Sequence, residues 1–106
     1  MVFVSLERVV KRAIARAGRK LPKTPVVDDV IPRLDKDSGG DDAVYINVVL
    51  SADTPEDRIS WATVKPIHDV LSEAVFRLRE LGIELWPYVI FLTVDEARRR
   101  GLVHAA

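Results

Sequence analysis

Between Ala43 and Val94 the hydrophobic period changes twice, from strand to helix and back to strand, almost without a gap. Ala43–Leu50 reads AVYINVVL, with Val44, Ile46, Val48 and Leu50 on one side and Tyr45, Asn47 and Val49 on the other. Ile67, Val70, Leu71, Ala74, Leu78 and Leu81 then hold one face of a helix that Gly82 ends, and Trp86–Thr93 returns to strand. Two strands joined through a helix in this way lie parallel, with a right-handed crossover. A strand that is apolar on both sides belongs at the centre of its sheet. Few folds satisfy both demands.

The flanking segments complete the pattern. Leu6, Val9, Val10, Ala13, Ile14 and Ala17 recur at helical spacing, with Ser5 placed as N-cap and Gly18 as stop. Val26–Asp35 reads as a strand weakened by Asp28, Asp29 and Pro32. Proline cannot donate to a ladder, so this strand goes to an edge. The turn cluster Asp37–Asp42 joins it to Ala43–Leu50 as a hairpin. Thr54-Pro55-Glu56-Asp57 carries the cap, proline and acids of a helical start. Pro66 forbids one unbroken helix from there to Leu81, so the chain is expected to start anew between Arg58 and Lys65, with Trp61 anchoring the corner in the core. Thr93-Val94-Asp95-Glu96 opens a short last helix that closes at Gly101. The expected fold is α+β: an α-β-β-α-β two-layer sandwich in one domain over residues 1–106, with a three-stranded mixed sheet in the order 1-2-3 and helices on one face.

Composition narrows the function classes. At 48% hydrophobic and 30% charged residues the chain matches an ordinary soluble globular protein. No apolar run approaches the roughly 20 residues that cross a bilayer. The absence of cysteine excludes disulfide scaffolds, cysteine-ligated zinc and thiol nucleophiles, and makes the cytoplasm the default location. The net charge of zero conceals a segregation. Residues 1–25 carry seven bases against one acid, a net +6, and residues 26–57 carry nine acids against two bases, a net −7. Such asymmetry marks either a nucleic-acid contact, through Arg8, Lys11, Arg12, Arg16, Arg19 and Lys20, or mutual neutralisation of the two segments.

No catalytic constellation is legible. His68 neighbours Asp69 and has Ser72 one helical turn away, but neither a group to orient the base nor an oxyanion site can be identified beside them. The hairpin carboxylates lack the Asp-x-Asp-x-Asp-Gly spacing of a calcium loop. The sequence therefore gives no reason to expect an enzyme, a metal or a cofactor. The second sheet face is the more telling feature. Tyr45, Asn47 and Val49, with Val89 and Phe91 or Tyr88 and Ile90 beside them, would present apolar surface to water. The face bearing Tyr45, Asn47, Val49, Val89 and Phe91 is the expected dimer or partner interface, with a second copy as the simplest cover.

The order helix, hairpin, broken helix, strand resembles ribosome-binding factor A, a variant of the type II K-homology fold, over about Leu6–Thr93. That resemblance implies binding to structured RNA, here through the basic first helix. K-homology domains approach nucleic acid with a Gly-x-x-Gly loop between their helices, and the corresponding residues here are Arg58-Ile59-Ser60-Trp61. The pieces Val48-Val49-Leu50 and Leu92-Thr93-Val94-Asp95-Glu96 are also similar to the later half of minimal nucleotidyltransferase domains. The magnesium-binding carboxylates of that family correspond to Ala43 and Tyr45. The expectation is a non-catalytic interaction module, homodimeric through its sheet face, with an RNA-binding domain as the alternative.

Overall fold

The computed structural model describes residues 3–51 and 59–102. Helix α1 (Phe3–Gly18) leads through a connector into the antiparallel strands β1 (Val27–Lys36) and β2 (Asp42–Leu50). Helix α2 (Trp61–Phe76), continued by a 3₁₀ turn at Arg77–Leu81, crosses over to β3 (Trp86–Leu92), which runs parallel to β2. A short helix α3 (Val94–Arg99) follows. The sheet order is β1-β2-β3, so the strand with apolar residues on both sides is central and the proline-bearing strand is at an edge, as the sequence predicts.

Strand parity divides the core in two. Val44, Ile46, Val48 and Leu50 meet Val10, Ile14 and Ala17 of α1 and Val64, Ile67, Leu71 and Val75 of α2. The two long helices thus cover one face with interlocking aliphatic stripes. On the opposite face α3 folds over one end of the sheet, where Ala97 completes a small cluster with Val49 and Leu92. Thr93 holds α3 in place: its side chain accepts from the Glu96 amide at 3.1 Å, and Glu96 Oε1 accepts from the Thr93 amide at 3.2 Å.

Several local expectations change. α1 already runs from Phe3, so Ser5 lies inside the helix and is not its N-cap. α2 starts anew at Trp61 behind an extended Ser60, whose Oγ accepts from the Thr63 amide at 3.3 Å. Pro66 then sits in the second turn. Its missing amide leaves the carbonyl of Ala62 without a helical donor, at a position on the solvent side. Trp61 does not anchor a corner in the core: it is 57% exposed and leans edge-on against His68, ring centroids 4.9 Å apart. The helical turn read at Thr54–Asp57 lies outside the described residues.

Candidate interaction surface

The register across the sheet determines which side chains share the second face. Arg33, Tyr45 and Tyr88 form one row, Ile31, Asn47 and Ile90 the next, and Asp29, Val49 and Leu92 the last. Opposed residues in both kinds of pairing point to the same side. Two members of the expected interface therefore lie on the other face, and a third lies on the expected face but is covered. Val89 and Phe91 pair with Ile46 and Val48 and pack under the long helices, and Val49 is buried beneath α3. Tyr45 and Asn47 do lie on the open face, and their neighbours from β3 are Tyr88 and Ile90.

The row nearest the hairpin is a cross-strand stack. The Arg33 guanidinium lies 5.0 Å from the centre of the Tyr45 ring, and Tyr45 stacks on Tyr88 with centroids 5.2 Å apart and planes 17° apart. The Tyr88 hydroxyl donates to Asp37 Oδ2 at 2.8 Å, tying β3 to the hairpin turn. That bond, followed by bonds from turn amides led by Asp41, holds the Asp37 carboxyl below the ordinary carboxylate range. The same carboxylate pushes the Tyr88 phenol above its ordinary value.

The stack continues around the β3 edge. Trp86, two residues before Tyr88 on the same side of the strand, is 48% exposed and meets Phe76 of α2 edge to face at 6.4 Å. Arg79 lies over both rings, 5.0 Å from Phe76 and 5.6 Å from Trp86. Arg33, Tyr45 and Tyr88 thus form one arginine–aromatic cluster and Trp86, Phe76 and Arg79 a second, set side by side by the shared parity of Tyr88 and Trp86 on β3; together they make a belt from the open face to the far end of α2, exposed at all but the half-buried Tyr45. Asn47 stands beside it, between Ile31 and Ile90, only 7% exposed and with no side-chain hydrogen bond to any described residue. Part of this belt is foreshadowed by Trp86 and Tyr88 sharing strand parity and by Phe76 falling outside the apolar stripe of its helix. The contact between them required the register of β3 on β2.

The basic residues of α1 are all exposed, and Lys11 pairs with Glu7 at 2.9 Å. Arg8, Arg12, Arg16, Arg19 and Lys20 have no ion pair to a described residue. The hairpin acids do not neutralise them. Asp35 bonds Arg33, Asp42 bonds Lys36 and Asp37 bonds Tyr88. Two open grooves of about 450 Å³ flank α1, and both are mixed in charge: one brings Lys11 near Asp28 and Asp29, the other Arg16 and Lys20 near Glu73 and Glu80.

On α2, Asp69 Oδ1 lies 3.2 Å from His68 Nδ1, and Ser72 Oγ lies 3.4 Å from His68 Nε2. The order is that of an acid–base–nucleophile relay. Ser72, however, is buried, and its oxygen is turned to the histidine at a long distance. Among the described residues no three His, Asp or Glu side chains converge as metal ligands. Comparison with protein-family models, with curated proteins and with solved structures returns no match.

Proposed function

We propose that this chain is a non-catalytic protein-interaction module that associates with a second copy of itself through the arginine–aromatic belt. The belt carries the reading. Arginine, tyrosine, tryptophan and phenylalanine are the residues enriched at interface centres, and here six of them lie in two neighbouring clusters, five of the six exposed. Trp86, Tyr88 and Phe76 are all at least 39% exposed, although each would gain from burial. Sedimentation velocity tests it. The wild type should move from the 11.9 kDa monomer towards twice that mass as concentration rises, and Trp86→Ala should shift the transition to higher concentration. A strictly monomeric wild type, or a Trp86→Ala variant that associates as well as wild type, refutes the reading.

A second reading, contact with RNA through α1, is favoured by one observation: Arg8, Arg12, Arg16, Arg19 and Lys20 are exposed without ion-pair partners among the described residues. The resemblance to K-homology domains points the same way. The open sheet face does not add to it, because Arg33 and Tyr88 occupy the two faces of the Tyr45 ring on which a base would stack. If α1 binds RNA, affinity should fall with salt at a logarithmic slope of about 0.7 per phosphate for single strands. Absence of binding at physiological salt removes this reading.

A further inference from the structure

The two edges of the sheet are unequally protected. β1 carries Asp28, Asp29, Arg33, Asp35 and Lys36, a mid-strand proline and a register shift between Val27 and Asp29, which are the devices that keep an edge from pairing. β3 reads WPYVIFL, with a proline only at its second position and no charge, and among the described residues no backbone hydrogen bond reaches it from its outer side. An uncharged seven-residue edge is a template for another strand. We infer that β3 pairs antiparallel with β3 of a second copy, centred on Val89 and joining two sheets into one of six strands.

This inference rests on self-association through the belt and specifies its geometry. A twofold axis at Val89 sets Trp86 opposite Leu92 and Tyr88 opposite Ile90 of the other copy, so aromatic meets aliphatic on the open face. Proline in a strand is tolerated where its nitrogen faces away from the neighbouring strand. With Pro87 turned away from β2, its carbonyl and the amides and carbonyls of Val89 and Phe91 face the seam, where its nitrogen supplies no donor; about four hydrogen bonds remain, two between the Val89 residues and one at each Phe91–Pro87 pair. Charge is complementary at both ends. Arg79, beside Trp86, has no carboxylate partner among the described residues, and Asp95, three residues beyond Leu92, is 79% exposed and only 3.9 Å from Arg98. Reversal of the strand brings Arg79 of each copy to the end that carries Asp95 of the other.

Sedimentation velocity on Arg79→Asp, Asp95→Arg and the doubly exchanged protein, with amide hydrogen exchange on the wild type, tests the geometry. Each single exchange should weaken association about tenfold or more, as two attractive contacts become repulsive in each dimer. The double exchange, and an equimolar mixture of the two single variants, should restore it. The Val89 and Phe91 amides should gain protection as concentration rises. A wild type that dimerises while these amides exchange at a concentration-independent rate, or a double exchange that stays as weak as the singles, overturns edge pairing and leaves self-association standing. A monomer at all concentrations overturns both.

Discussion

Replacement of Asn47 by leucine should make the protein more stable. Asn47 occupies the middle of the central strand on the open face, flanked across the sheet by Ile31 and Ile90, with its side chain almost wholly covered and no described residue bonding its amide. Among the described residues no buried side-chain nitrogen or oxygen lacks a hydrogen-bond partner, so the Asn47 amide still reaches water at its uncovered edge and the substitution recovers no unmet-bond penalty. Leucine keeps the branching at Cγ, and its two methyl groups add apolar surface against two isoleucines. At roughly 25 cal/mol per Å², an additional 40 Å² or so contributes about 1 kcal/mol.

The gain is therefore about 1 kcal/mol in favour of Asn47→Leu, or a rise in Tm of about 5 °C for a chain of this size. Urea unfolding followed by circular dichroism measures it, with unchanged m confirming that the unfolded reference has not moved. A loss of more than about 1 kcal/mol would show that the amide is bonded in the native protein and would refute the reasoning. Self-association is a separate readout. Asn47 lies one strand away from the β3 edge, so the stabilised variant should dimerise as wild type does if β3 is the seam.

Leu71→Ala, in the fully buried stripe of α2, should cost about 2–5 kcal/mol in urea unfolding, whereas the half-exposed Trp61→Ala should cost less than about 2 kcal/mol; the opposite ranking would contradict the packing. Pro66→Ala restores the amide that bonds the Ala62 carbonyl, and should stabilise by about 1–2 kcal/mol after the greater entropy of the unfolded chain is set against the repaired turn. The Tyr88–Asp37 bond should persist between the carboxylate and phenol titrations. Asp37 is lowered, so its contribution is present above the ordinary carboxylate range and fades as pH falls through the lowered value; Tyr88 is raised, so its contribution is present below the ordinary phenol range and fades as pH rises through the raised value. Carboxyl NMR should show the Asp37 titration moving up in Tyr88→Phe, and an unmoved titration would mean that the phenol is not what holds it down.

The fold was legible because its signals are local and redundant. Two-sided apolarity made β2 central, Pro32 sent β1 to an edge, and Gly82 and Thr93 marked helix ends with backbone and capping preferences that act within a turn. The interface was legible only by halves. Tyr45 and Asn47 follow from parity within one strand, but the choice between Val89 with Phe91 and Tyr88 with Ile90 depends on the register of β3 against β2, which a one-residue shift reverses. Val49 was hidden by α3, and nothing in a six-residue helix announces which face of a sheet it will cover. Trp61 misled because a large aromatic is read as an anchor, whereas the buried member of that first turn is Val64.

The same comparison bears on why β3 matters. Topology makes both β1 and β3 edges and says nothing about how either is guarded. Only the sequence distinguishes them, with five charges and a mid-strand proline on one and, on the other, no charge and a proline only at the second position. A strand buried on both sides is expected to be uncharged, but β3 is not: Trp86 and Tyr88 stand in solvent, and their positions would accept lysine or glutamate without disturbing the core. Charged residues there would make the isolated protein less prone to pair. Their absence from the exposed half of β3, with Arg79 and Asp95 offered unneutralised or weakly paired at opposite ends, is better explained by a strand that meets its own copy than by one left open to water.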